Sequence, residues 1–228
     1  IQHLATAMPL SSRVPLILAL GNHELWVRRG HTFNALEDAL TKLPPPDDAL
    51  ARKMKAGAGT YHVRIGPTLV VALDSNRPLG EGSAQLDYLK AVLQKHKDAR
   101  YKFAAMHHGP RSSGRHGRHR SAPGLTAVLQ KHGVTASLAG HDHLYERIVE
   151  GDVTYFVSGG GGAPLYQRRR PEPGSRAFMS TYNWVMMFLA PSGARFEAYA
   201  LEGAMLERDT MRAGKMKVFA PQPQGRLP

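Results

Sequence analysis

The chain has 228 residues, 42% of them hydrophobic, enough for one well-packed core and short for two domains. Lysine and arginine outnumber the acidic residues by 30 to 18; the resulting +12 favours anionic partners and is also what an ordinary basic, soluble protein carries. With no cysteine, disulfides, thiolate metal sites and cysteine nucleophiles are excluded, and no apolar run approaches the roughly 18 residues of a membrane span.

The chain opens on Ile1, not Met, and leads into a strand-like run, so its natural N-terminus is expected to lie upstream. That leaves the compartment open. Residues 14–20 are nearly all apolar without polar alternation and predict a buried strand. Residues 32–43 place Phe33, Leu36, Leu40 and Leu43 at helical spacing, and three prolines stop that helix. Residues 61–65 and 68–74 read as strands of a hairpin joined by Gly66-Pro67. Ser83 reads as the N-cap of a helix whose stripe is Leu86, Leu89, Val92 and Leu93. A strand is expected at 101–106, a helix at 123–132 closed by Gly133, and a strand at 134–139. The pattern then turns antiparallel, with strands at 147–150, 153–157, 182–189 and 194–201. Trp184, Met186 and Met187 read as core, and 221–228 as a frayed tail. Alternating strands and helices followed by hairpins define an α/β layer arrangement with a second β layer. No repeat or domain boundary is visible, so 1–220 is taken as one domain.

Three short histidine motifs stand where strand-like runs end: Gly21-Asn22-His23-Glu24, Met106-His107-His108-Gly109-Pro110 and Gly140-His141-Asp142-His143. Neutral imidazoles are good ligands for ions such as Zn, Mn and Fe. His141 and His143, two apart on a loop, can aim at nearby but different points; the plainer alternative is a surface pair. His107 continues its strand toward the mouth of a site, with His108 flanking it. The Asn22 carbonyl is a neutral ligand and His23 can protonate a leaving oxygen; alternatively both only cap a turn. Residues 111–120, rich in Arg and His, read as a flexible basic lip for phosphate groups or as a solvated loop. Arg111, Arg115 and His108 are the substrate-binding candidates. Arg168 to Arg170 read as a solvated cluster, Asp74 as a cap in preference to a carboxylate behind the metal ligands, and Gly159 to Gly162 as a tight turn. No Gly-Lys-Ser/Thr makes the glycine run a P-loop, and no Gly-x-Ser-x-Gly elbow suggests a serine esterase.

Together, Gly-Asn-His-Glu, His-His-x-Pro and Gly-His-Asp-His-Leu-Tyr-Glu-Arg resemble the calcineurin-like metallophosphoesterases, in particular the purple acid phosphatase branch. Residues 61–67 leading to Asp74, and 157–166, fit that branch as well. The resemblance implies a two-sheet α/β/β/α sandwich and a dinuclear centre of divalent or trivalent ions (Fe, Zn or Mn) that activates water for attack on a phosphate ester. It assigns Asn22, His107 and His141 to one metal, His143 to the other, and His23 to the acid beside the phosphate. This chain departs from the family where an Asp-x-His motif and a bridging aspartate should precede Gly-Asn-His: the earliest aspartate is Asp38, and no Asp-x-His occurs anywhere. The expectation is therefore an incomplete, weakly active phosphomonoesterase or phosphodiesterase acting on a small phosphate ester. The alternatives are a nuclease of the same superfamily or a non-catalytic anion-binding module.

Overall fold

The computed structural model describes residues 13–23, 27–28, 31–32, 48–57 and 59–211. A small ribbon, β1 (Val27–Arg28) and β2 (His31–Thr32), precedes a short helix, α1 (Ala49–Lys53). The helix expected at 32–43 lies outside the described residues apart from Thr32, and so does the tail 221–228. Then come β3 (Tyr61–Ile65), β4 (Thr68–Ala72), α2 (Ala84–Lys95), β5 (Tyr101–Ala105), α3 (Ala122–Lys131), β6 (Ala136–Ala139), β7 (Tyr145–Glu150), β8 (Val153–Ser158), β9 (Ser175–Met179), β10 (Asn183–Ala190), β11 (Gly193–Ala200) and β12 (Met205–Met211).

Seven strands form one mixed sheet in the order β3-β4-β5-β6-β8-β7-β9, and three form a second in the order β10-β11-β12. The parallel centre, β4-β5-β6-β8, is linked by helical crossovers after β4 and β5, as parallel pairing requires. Alternation along the strands builds two cores. Leu69 and Val71 of β4 and Tyr155 of β8 meet the apolar stripes of α2 and α3. Val70, Phe103 and Phe156 point the other way, onto Phe196, Ala198, Val185 and Met187 of the second sheet. Ser83 caps α2, accepting from the Leu86 amide at 3.2 Å, and Gly66 takes a left-handed φ of 54° in the β3–β4 turn.

Three expectations are corrected. Residues 14–20 are extended but join no ladder: Val14 and Leu16 are exposed, only Leu20 is buried, and the Tyr61 hydroxyl satisfies both the amide and the carbonyl of Leu18. An apolar run becomes a buried strand only where a neighbouring strand offers backbone groups, and here a side chain does so instead. Trp184 and Met186 are not core. They lie at 41% and 43% exposure on the outer face of the second sheet, with Trp184 stacked on Tyr199; Met187, one residue out of phase, points inward. The segment 111–120 is no loose lip: Arg111, Ser112 and Ser113 are buried and bonded to acidic residues of other elements.

Candidate metal centre

The parallel strands β4, β5 and β6 all end on one edge of the large sheet, where ligand sites in such sheets form. The chain after β4 carries Asp74, Ser75 and Asn76; after β5 come His107 and His108; after β6 come His141 and His143. Asp74 is a cap, as expected: its Oδ1 accepts from the Asn76 amide at 3.0 Å and from Asn76 Nδ2 at 2.9 Å. Asn76 Nδ2 in turn lies 3.3 and 3.2 Å from the carbonyls of Leu20 and Gly21, which fixes the Asn22-His23 turn to the sheet edge. The Gly140 amide donates to the His107 carbonyl at 3.1 Å and locks the other two loops together.

Three of the four expected metal ligands converge. His107 Nε2 lies 2.8 Å from Asn22 Oδ1 and 3.1 Å from His141 Nδ1. Donor nitrogens of His107, His108 and His141 fall within 4.8 Å of one another. His141 holds a left-handed φ of 64°, rare for a residue with a side chain and found where the surroundings over-determine the backbone. Burial, reinforced by repulsion from His108 and the other nearby imidazoles, holds His107 down to about 4 and His141 down to about 3. Both are therefore neutral at pH 7, the form that binds a metal.

His143, the fourth, stands apart from this cluster. Its Nδ1 lies 2.7 Å from the Pro164 carbonyl and its ring stacks on Tyr166 at 4.3 Å. Donation from Nδ1–H to that carbonyl leaves Nε2 as the lone-pair nitrogen, as in histidines prepared as ligands. His108 differs. Ser75 Oγ accepts from the His108 amide at 2.8 Å and lies 2.8 Å from Nδ1. The arrangement that uses every group has Ser75 donating to Nδ1, which leaves Nε2–H as a donor. His23 is exposed, and near enough that its charge would lower the basicity of His107.

The basic residues divide. Arg111 is buried against Glu172 at 2.8 Å and pairs also with Glu150, so it faces carboxylates and not the histidine cluster. Arg118 is likewise committed to Glu172, at 2.6 Å. Arg115 is exposed, its guanidinium 5.5 Å from the centre of the Tyr166 ring. Sequence reasoning singled out none of Ser75, Asn76, His116 and Tyr166 as site residues. The His116 ring lies 4.1 Å from that of His141 and 5.7 Å from Tyr166, at the rim of the site. Its only signal in the sequence was membership of the basic segment. In the glycine run at 159–162 the first two residues serve close approach: a Cβ on Gly159 would stand 2.2 Å from the Asp142 carbonyl oxygen and one on Gly160 2.3 Å from the Thr181 carbonyl oxygen.

Neutral nitrogen donors gathered at the carboxyl ends of parallel strands in an α/β fold form a cluster that could hold a metal ion. The family model for calcineurin-like phosphoesterases matches residues 2–145, well over half the chain, and the chain belongs to that family. It is 27% identical over 118 residues to purple acid phosphatase 7 of Arabidopsis thaliana, a match covering 50% of this chain and 36% of the relative. Among solved structures it resembles the purple acid phosphatase PPD1 of yellow lupin, with a TM-score of 0.76 and 18% identity over 92% of this chain and 43% of that one. It also resembles GAP50, the anchor in the inner membrane complex of Plasmodium, with a TM-score of 0.59 and 18% identity over 69% of this chain and 54% of that one. The chain thus spans less than half the length of either purple acid phosphatase. Among the described residues, no helix is long and apolar enough to cross a membrane.

Proposed function

We propose that this chain, read as one domain over 1–220, provides the histidine-rich part of a metal-dependent phosphoester hydrolase. The observation that carries the reading is the convergence of Asn22 Oδ1, His107 Nε2 and His141 Nδ1, held by second contacts and kept neutral by burial. Asn22, His107 and His141 would hold one cation, and His143, through Nε2, would serve a second. A bound cation supplies Lewis acidity toward the phosphate oxygens and an acidified water. The chain's own residues do the rest. His108 Nε2–H donates to a phosphate oxygen, exposed His23 delivers a proton to the leaving oxygen, and Arg115 and His116 attract the anion at the rim.

Two observations rank the alternatives. Arg111 and Arg118 are both committed to Glu172, which removes two cations from the lip that favoured a nuclease and leaves a small phosphate ester as the better substrate. The absence of any Asp-x-His from the sequence favours a second reading, a metal and anion binder with little turnover. The deciding experiment measures release of 4-nitrophenol from 4-nitrophenyl phosphate by the chain supplied with Zn2+ or Mn2+, with chelator and with His141→Ala as controls. Metal-dependent release abolished by both controls supports hydrolysis. Release that survives chelation overturns it, and binding of metal and phosphate without release selects the second reading.

A further inference from the structure

The aspartate between the two histidines of the last motif is 2% exposed, and the hydrogen bonds of its carboxylate run to one segment. Asp142 Oδ2 accepts from Ser112 Oγ at 2.5 Å and from the Gly117 amide at 3.3 Å, and Oδ1 accepts from the His116 amide at 2.9 Å. Ser112 Oγ also accepts from the Gly114 amide at 3.0 Å. The turn presses so close that a Cβ on Gly114 would lie 2.5 Å from Asp142 Cγ. A carboxylate whose oxygens face amide and hydroxyl donors is occupied, and Asp142 is not in the cluster of potential metal donors. A buried charge without such partners would be strongly disfavoured, so the turn and the carboxylate fix each other.

The clamp has a consequence at the site. Asp142 sits between His141 and His143, so its grip on residues 112–117 sets the position of that turn relative to both. His116 is thereby brought 4.1 Å from the His141 ring, and Arg115 is set over Tyr166, which itself stacks on His143. We propose that Asp142 is a positioning residue. It ties the 112–117 turn to the ligand-bearing loop and so sets the affinity of the site for a phosphate group while leaving its affinity for metal unchanged. The inference rests on the reading of Asn22, His107 and His141 as a metal site.

Asp142→Asn keeps the size and replaces one acceptor oxygen by a donor that meets the amides head-on; Ser112→Ala removes a single bond at the same carboxylate. Three readouts apply to the full chain: Zn2+ titration by calorimetry, inorganic phosphate binding to the Zn2+-loaded chain, and hydrogen exchange at the His116 and Gly117 amides. In Asp142→Asn, exchange at those amides should rise and phosphate affinity fall about tenfold, a change of about 1.4 kcal/mol, with Zn2+ affinity within about twofold. Ser112→Ala should shift phosphate binding and exchange in the same direction by less, and Ser112→Thr should restore them. If Asp142→Asn does not fold, Ser112→Ala against Ser112→Thr decides the matter. Faster exchange with unchanged phosphate affinity overturns the proposal, as does an equal loss of Zn2+ and phosphate. An unaltered chain that takes up no Zn2+ sinks the metal-site reading, whereas one that takes up Zn2+ but binds no phosphate overturns the proposal itself.

Discussion

The neutrality of the histidine cluster makes a quantitative claim about metal binding below pH 7. His107 and His141 are held at about 4 and about 3 against an ordinary value of 6.5. For bases with lowered values, the unfolded chain takes up protons first as pH falls. Their contribution to apo stability is complete above pH 6.5 and is lost progressively toward the folded values. In the folded protein, however, protons do not compete with a cation for these two nitrogens until pH nears 4. Zn2+ at about 100 times its Kd stabilises a protein by about 2.7 kcal/mol. In a chain of this size that raises Tm by roughly 5–11 °C. At pH 5.5, two imidazoles of ordinary basicity would weaken apparent binding roughly tenfold each, and the shift would shrink to about 1 °C. Here it should persist nearly whole at pH 5.5, and His107→Ala should lose most of it at pH 7. Differential scanning fluorimetry with and without Zn2+ at both pH values reads this directly. A Zn2+ shift that is present at pH 7 and vanishes at pH 5.5 refutes the claim that the fold holds these rings neutral.

Two further outcomes follow from single positions. Asp48 caps α1 through the Ala51 amide at 2.9 Å and takes the His62 amide at 3.1 Å, His62 Nδ1 at 2.6 Å and the Tyr88 hydroxyl; burial works against its charge, but Tyr88, Ala51 and His62 outweigh it and lower its pKa. Asp48→Asn should cost about 1.5–3 kcal/mol in urea unfolding at pH 7, and the unaltered chain should keep Asp48's contribution above pH 3.8 and lose it as pH falls through the lowered folded value. Gly159→Ala puts a Cβ 2.2 Å from the Asp142 carbonyl oxygen and 2.9 Å from its carbon, both backbone atoms, whereas nothing lies within 4 Å of a Cβ at Gly161; the first should cost about 1–3 kcal/mol and weaken Zn2+ binding, while Gly161→Ala should stay within about 0.5 kcal/mol.

What the sequence disclosed is local. The α2 stripe, its Ser83 cap, the Gly66-Pro67 turn and the parallel strands at 101–106 and 134–139 were legible because each repeats a period or ends on a residue with a conformational reason. The histidine motifs were legible because chemistry of that density is rare outside sites. Strands β9 and β12 were not read. Ser175–Met179 holds Arg176, and Met205–Met211 holds Glu207, Arg208 and Asp209. Each lies at the edge of its sheet, so one side of the strand meets no ladder and the apolar alternation is weak. The failure at 14–20 is the converse, a strong apolar signal without a strand to pair with.

The basic segment shows most clearly why a site escapes linear reading. Arg111 and Arg115 stand four apart and look equivalent in sequence. They part only because Glu172, 61 residues beyond Arg111, reaches back to it, while Glu146, 33 beyond Ser113, fixes the turn between them through the Ser113 amide at 2.7 Å. The same long-range bonds leave the cluster with an unusual balance. Asp74 and Asp142, which flank the site, are both spent on backbone and side-chain donors, and the converging groups are an amide and imidazoles, all neutral. On the proposed reading, ligands without charge leave a bound dication's charge almost undiminished. In a partly buried site that charge acts through a low effective dielectric, and it would draw a phosphate dianion more strongly than a cation already neutralised by carboxylates.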